Sequence, residues 1–238
     1  MSNHIALSRA EHREIRINTD HSVELGDAVM SCVTTPNEFR SVQNHYPILF
    51  QLNAERDEYR TVALFGFTQG ENLFLQNGKW DARYRPLAID IQPFLIGLPK
   101  EGQGDHQVHV DMDSPRVNLE HGTRVFDQDG NATEYLEKIT QKLHALHNGY
   151  QSCPAFINYL NKYELIEPLV LEIELLDGSV NRLVGFHGIN EEKLQALDGY
   201  ALNELHQKNY LLPIFMILAS MSNIVDLVER KNQLISND

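Results

Sequence analysis

The amino-acid sequence predicts an α+β fold, with a mainly antiparallel sheet in the first half and with helices and a late β-hairpin in the second half. Three observations support this prediction. Apolar runs rich in Phe, Val and Ile are separated by turn residues between positions 46 and 113. Helical spacing of apolar residues begins near position 134, and an Asp-Gly pair joins two alternating segments between positions 169 and 188. Strands and helices do not alternate regularly, so a doubly wound parallel sheet is not expected.

The strands of the first half begin with two apolar runs, Tyr46–Asn53 and Arg60–Phe67. The polar residues between these runs predict a hairpin loop. A short strand then ends at Asn77-Gly78, which is the strongest two-residue hairpin signal. The tryptophan of the chain, Trp80, is therefore expected to open the strand that returns from this turn.

The next segment contains Pro86 and Pro93, which lack the N–H group that a strand ladder needs. We therefore expect an edge strand or a loop there. Residues 107–113 then alternate between apolar and polar side chains, with His109 and Asp111 on the polar face. This alternation predicts a half-buried strand.

The second half opens with a predicted helix that Thr133 caps and Gly149 ends. Pro154 suits the first turn of a second helix, because its missing N–H costs nothing there. Two alternating segments on either side of Asp177-Gly178 predict a hairpin, and two short helical pieces follow.

The longest apolar run, Leu211–Ala219, predicts a buried core helix without membrane insertion, because a spanning helix needs about 20 apolar residues. The final helix is expected to begin near Pro213. Its predicted apolar stripe consists of Ile214, Ile217, Leu218, Met221, Ile224, Val225 and Val228, and its predicted water-facing side consists of Asp226, Glu229 and Arg230.

Length and composition bound the class of protein. The 238 residues suit a single domain over residues 1–238, in which the mostly polar residues 1–30 are expected to be extended or partly ordered. A net charge of −13 disfavours nucleic acid and membrane surfaces as partners and favours a basic protein partner. The two cysteines, Cys32 and Cys153, are too few for a disulfide framework. With no apolar signal-peptide core near the start, a cytoplasmic location is expected.

Several segments together carry a family likeness. "ALFGF" at Ala63–Phe67 is followed by "GENLF" and "GKWDARYRP", which lie between Gly70 and Pro86. Pro93-Phe94 and Asp177-Gly178 come later. On these features the chain resembles the SapC family, a bacterial group named for a gene found with surface-layer genes, over roughly residues 40–232.

The resemblance implies a soluble accessory protein. Genes of this family tend to lie near those of TonB-dependent receptors and tryptophan-halogenase-like flavoproteins, which implies a role in uptake or in modifying a peptide or small molecule. The chain departs from the family pattern at Asp90, Ile91 and Gln92, where relatives carry basic and aromatic residues, and at His109, where they carry an apolar residue.

A recognition surface is predicted in the segment that surrounds the tryptophan, because aromatic and arginine side chains anchor interfaces. Its candidate binding residues are Glu71, Asn72, Trp80, Asp81, Tyr84 and Arg85. The alternative is a scaffold role, in which Glu71 and Asn72 bond the loop backbone and Trp80 packs the sheet edge against a helix.

A metal site is the sharpest chemical alternative. His109 and Asp111 are two apart on a predicted strand and share a face, as in the two-histidine, one-carboxylate site of Fe(II) oxygenases. His187 is the candidate for the distal histidine.

The leading hypothesis is therefore a soluble, non-catalytic accessory or binding protein with a protein partner and no cofactor. An Fe(II)-dependent oxygenase and a partner subunit of a flavin-dependent halogenase-like enzyme are the alternatives. The ligand and the oligomeric state are not predicted.

Overall fold

A computed structural model describes residues 3–76, 78–97 and 107–237 of the chain. It confirms the α+β fold: the strands lie mainly in the first half, the paired strands run antiparallel, and the helices and a hairpin dominate the second half. Asn77 of the predicted turn lies outside the described residues. Gly78, beside it, has φ +72°, a conformation that favours glycine.

A five-stranded antiparallel sheet forms the centre of the fold. Its strands, in spatial order, are β12 (Ile166–Glu174), β13 (Val180–Ile189), β4 (Ile48–Leu52), β5 (Tyr59–Leu64) and β3 (Ser31–Val33). Two of the three predicted hairpins, β4–β5 and β12–β13, are thus confirmed in this sheet. The late hairpin also joins the early strands, because Phe186 and His187 of β13 pair with Gln51 and Phe50 of β4.

Three smaller sheets extend the fold. The first contains, in spatial order, β1 (His4–Ala6), β9 (Gln107–Asp111) and β8 (Phe94–Gly97). The second contains β10 (Val117–Asn118), β2 (Arg16–Ile17) and β11 (Thr123–Arg124). The third is the pair of β6 (Leu75–Gln76) and β7 (Lys79–Trp80). Residues 3–30 contribute β1 and β2, and Ile15 and Ile17 are buried in the core.

The helices are α1 (Phe39–Val42), α2 (Leu87–Asp90), α3 (Glu134–Lys162), α4 (Glu191–Gln195), α5 (Gly199–Gln207), α6 (Leu211–Ser220) and α7 (Asn223–Asn237). The short α2 occupies the segment after Pro86, where the prolines predicted an edge strand or a loop. After Pro93, β8 is an edge strand, as expected. Thr133 caps α3, because its hydroxyl accepts the N–H of Leu136.

The predicted stop at Gly149 and the predicted helix start at Pro154 are both wrong, because α3 runs through both residues. Gly149 serves packing instead: a Cβ atom there would lie 2.3 Å from Thr35 Oγ1. Leu136 to Leu146 pack into a smaller hydrophobic cluster, and Phe156 to Leu160 pack into the larger one around the central sheet. Burial at both ends outweighs the poor helix propensity of one glycine and one proline.

The predicted final helix is divided into α6 and α7 by a turn at Met221 and Ser222. Asn223 anchors the turn, since its side-chain amide donates to the carbonyl of Gln43 (2.7 Å). The turn changes the phase of the helical stripe, so Val225 is 61% exposed while Leu227 is fully buried. The predicted stripe is therefore wrong at Val225 and lacks Leu227.

Among the described residues, the helical stretch Leu211–Ser236 has the length and apolar composition of a membrane-spanning helix. Ile214 and Ile217 of this stretch are buried in the larger cluster. The absence of membrane insertion stays a prediction.

Candidate functional site

The indole ring of Trp80 lies inside the larger hydrophobic cluster. Trp80 is only 8% exposed, and its ring stacks on Phe74 and meets the edge of Phe65. Its Nε1–H donates to the hydroxyl of Tyr46 (2.8 Å). A buried tryptophan usually finds such a partner, and the contact surface of this ring is used within the fold.

Tyr46 and Tyr84 continue this hydrogen-bonded path towards a buried carboxyl group. The Tyr46 hydroxyl donates to the carbonyl of Tyr84, and the Tyr84 hydroxyl donates to Glu38 Oε2 (2.8 Å). The same oxygen accepts the N–H of Leu87 (2.9 Å). We call Trp80, Tyr46, Tyr84 and Glu38 the tyrosine column.

Glu38 is 5% exposed. Burial raises the pKa of this carboxyl above its ordinary value, although its hydrogen-bond donors act in the opposite direction. Within the described residues, Glu38 Oε1 and the hydroxyls of Thr34 and Thr35 lie buried without a hydrogen bond of ordinary geometry. The column therefore ends in a buried carboxyl group whose pKa lies above its ordinary value.

Glu71 and Asn72 bond the loop backbone. Glu71 Oε2 accepts the N–H of Phe67 (2.7 Å), and Oε1 pairs with Lys231 Nζ (2.6 Å). The side-chain amide of Asn72 donates to the carbonyl of Asp27 (2.8 Å). This geometry agrees with the scaffold role, since both side chains are engaged inside the protein.

Asp81 is the most exposed of the six candidate binding residues, and its carboxylate accepts Arg230 Nη1 (2.7 Å). The guanidinium of Arg230 lies 4.5 Å from the centroid of the Phe74 ring. Arg230 thus covers the aromatic cluster. This differs from the sequence-based expectation that Arg230 faces water.

Arg85 points away from the column towards the N-terminal segment. Its Nε and Nη2 donate to Asp90 Oδ1 (2.9 and 2.6 Å), and its Nη1 donates to His21 Nε2 (2.6 Å). A guanidinium can only donate, so His21 Nε2 accepts and Nδ1 carries the ring proton. That Nδ1–H faces Asp27 Oδ2 at 3.3 Å.

Asp27 and Arg116 form a buried ion pair, with 1% and 3% of each residue exposed. Arg116 Nη2 donates to Asp27 Oδ1 (2.5 Å), and Nη1 donates to the carbonyls of Asn18 and Asp20. Burial would raise the pKa of Asp27, but the hydrogen bond with His21 and the charge of Arg116 outweigh it and hold this pKa below its ordinary value.

The Nε–H of Arg116 has no hydrogen-bond partner within residues 3–76, 78–97 and 107–237. A buried donor left without a partner costs about 1–3 kcal/mol, and more when it is charged. Arginine remains charged in proteins and cannot avoid this cost by losing a proton. The buried Nε–H of Arg116 would therefore be stabilised by a hydrogen-bond acceptor.

Arg116 lines a cavity of about 220 Å³ between the N-terminal segment, α2 and α3. Its walls include Arg85, Asp90, Lys138 and Lys142 as well as Tyr135, whose pKa burial raises to about 12. We call this space the cationic cavity. It gathers polar side chains from four distant segments of the chain, as ligand sites commonly do.

Positive charge is in excess at this cavity. Lys142 and Arg85 share Asp90, Arg116 pairs with Asp27, and Lys138 pairs with the exposed Glu134. Among the described residues, these four cationic side chains thus contact three carboxylates, so one positive charge at the cavity is not balanced. The chain as a whole, by contrast, has a net charge of −13. Burial would raise the pKa of Asp90, but Lys142 and Arg85 lower it.

The three residues of the metal alternative do not come together. His109 and Asp111 lie on β9, whereas His187 lies on β13 in the central sheet. The described part of the chain contains no group of three or more His, Cys, Asp or Glu side chains that could hold a metal ion. His187 packs against the Tyr59 ring (4.9 Å between centroids), and burial lowers its pKa.

Of the charged residues of the cationic cavity, only Arg85 was predicted from the sequence as a binding residue. Asp90 carried a signal, because it stands where the chain departs from the family pattern. His21, Asp27, Arg116 and Lys142 lie in no motif, and their proximity depends on the fold.

The comparison with protein families gives one finding: the SapC family model matches residues 7–227 of the chain. No curated protein and no solved structure matches it.

Proposed function

The chain belongs to the SapC family, and we propose that it is an accessory protein that acts by binding a small ligand in the cationic cavity. The setting that we propose is the one implied by the family resemblance, namely TonB-dependent uptake or the modification of a peptide or small molecule. The protein partner and the cytoplasmic location remain predictions.

The observation that carries this proposal is the buried guanidinium of Arg116, whose Nε–H has no partner among the described residues and which lines the cavity. Burying this donor without a partner destabilises the folded protein, and a bound acceptor removes that destabilisation. Arg85 and Lys142 are already held in place by Asp90, so the cavity is largely formed before a ligand arrives.

Of the surface predicted around Trp80, the exposed part centres on Asp81, whose side chain is 58% exposed, and Arg85, whose side chain is 37% exposed. These two residues, and not the buried indole, are what that segment offers to a protein partner. The oxygenase alternative gains no support, because His109, Asp111 and His187 are not members of a metal-binding group within the described residues.

Native mass spectrometry of the purified protein, followed by denaturation and identification of the released compound, tests the proposal. We expect one small molecule per chain, bound and released unchanged. Where none co-purifies, a thermal-shift screen of small metabolites supplies the ligand for titration.

Arg85→Ala is expected to weaken binding by at least about tenfold, because it removes a preorganised cavity cation. Arg182→Ala is the matched control, since it removes the same charge from an exposed site on β13. Chemical conversion of the ligand by the protein alone, or equal binding by both variants, would contradict the proposal.

A further inference from the structure

We propose that the cationic cavity is an oxyanion site, which takes a small ligand through a carboxylate or phosphate group. This inference rests on the proposed binding function and adds the chemical class of the ligand. The group accepts the Nε–H of Arg116 and lies near the ammonium groups of Lys138 and Lys142.

The donor pattern of Arg116 points to an acceptor. Its Nη groups are engaged by Asp27 and by two backbone carbonyls, which fixes the plane of the guanidinium. Arg116 lines the cavity, and its Nε–H has no partner in the described parts of the chain. A guanidinium has no lone pair to offer, so the ligand atom that meets Nε must be an acceptor.

The charge pattern distinguishes an anion from a neutral acceptor. A carbonyl or a water molecule would satisfy Nε but would leave the excess positive charge among the described residues in place. An oxyanion does both, because its second and third oxygens can accept from lysine ammonium groups while its charge balances the cavity. Long-range repulsion from the acidic surface then makes tight binding depend on these local contacts.

The cavity volume limits the size of the ligand. At about 220 Å³ it falls below the usual 300–1,000 Å³ of pockets for drug-sized molecules. Ile89 and Ile139 line part of the wall, which suits a short hydrocarbon portion. A small carboxylic acid or a simple phosphate fits this description, whereas a nucleotide does not.

The test follows the Arg116 side chain directly by NMR. The protein with ¹⁵N-labelled arginine is titrated with sodium acetate and, separately, with sodium phosphate, at constant ionic strength maintained with sodium chloride. The Nε–H resonance of Arg116 is assigned by its loss in Arg116→Lys. If that variant does not fold, hydrogen exchange assigns it, since this buried N–H is expected to exchange most slowly.

We expect a saturable shift of this resonance with at least one of the two salts. A response to acetate alone identifies a carboxylate ligand, a response to phosphate alone identifies a phosphate ligand, and each supports the inference. Lys138→Gln is expected to weaken the binding roughly fivefold, because it removes one partly exposed charge near the anion. Lys79→Gln changes the net charge equally at an exposed position on β7 and is expected to leave the binding unchanged.

Two results would overturn the inference. Equal weakening by Lys138→Gln and Lys79→Gln would show diffuse attraction to the surface. Failure of both salts to move the Arg116 resonance, while a neutral compound binds in the cavity, would reject the anion class and leave the proposed function standing. If nothing binds and nothing co-purifies, both proposals fail together.

Discussion

The tyrosine column and the cationic cavity both include residues of the segment 80–92, and they accommodate buried polar groups in different ways. The column contains an acid, Glu38, whose pKa is raised by burial. The cavity contains Arg116, which cannot become neutral. A buried carboxyl can therefore be accommodated by a proton, whereas a buried guanidinium with an unpaired N–H needs an acceptor. This difference is why we assign binding to the cavity and scaffolding to the column.

The largest effect should come from removing the indole ring at the Trp80 end of the column. Trp80→Ala leaves a cavity among Phe65, Phe74 and Tyr46 and is expected to lower the free energy of unfolding by about 3–5 kcal/mol. Urea denaturation measures the change. Tyr200→Ala is the control, because this aromatic ring is 74% exposed and its loss is expected to cost little. A Trp80→Ala loss as small as that of the control would show that the ring is not part of the core.

The next effect concerns the buried ion pair of the cavity. Asp27→Asn leaves the Arg116 charge without its carboxylate and is expected to cost about 3 kcal/mol at pH 7. Because the folded pKa of Asp27 is lowered, its contribution is present above the unfolded pKa of about 3.9 and is lost as pH falls through the folded value. The unfolding free energies of wild type and variant should therefore converge in acid. A difference that stays constant with pH would contradict this account.

Glu38→Gln should show the opposite dependence on pH. The folded pKa of Glu38 is raised, so its contribution is present below the unfolded pKa of about 4.3 and is lost as pH rises through the folded value. We expect the variant to lie within about 1 kcal/mol of wild type near pH 4 and to gain relative stability as pH increases. Glu55→Gln makes the same chemical change at an exposed position and is the control. If the free energies of unfolding of Glu38→Gln and wild type changed with pH in parallel, the difference proposed between the column and the cavity would be contradicted.

The smallest effect on stability is expected at the exposed residue Asp81. Asp81→Asn breaks the partly exposed pair with Arg230 and should change the free energy of unfolding by less than about 1 kcal/mol. If Asp81 contacts a protein partner, the same variant weakens co-purification of that partner without changing the melting temperature. A loss of several kcal/mol would instead place Asp81 in the scaffold.

Local patterns predicted much of the fold. The three hairpins, the edge strand after Pro93 and the cap at Thr133 all follow from a few neighbouring residues, and the structure confirms them. The patterns failed where distant contacts decide. Gly149 and Pro154 weaken a helix locally, yet α3 continues because its two ends are buried in two different clusters. The turn before Asn223 likewise depends on Gln43, 180 positions earlier.

By itself, the sequence determined the α+β class, the family and most element positions, because turn chemistry and apolar periodicity act over only a few residues. The tertiary structure alone decided which side chains meet. Asp27 and Arg116 stand 89 positions apart and Asp90 and Lys142 stand 52 apart, and nothing in their local sequence draws them together. Charge pairing in a protein interior depends on distance in space and on exclusion of water, and both exist only after the chain has folded.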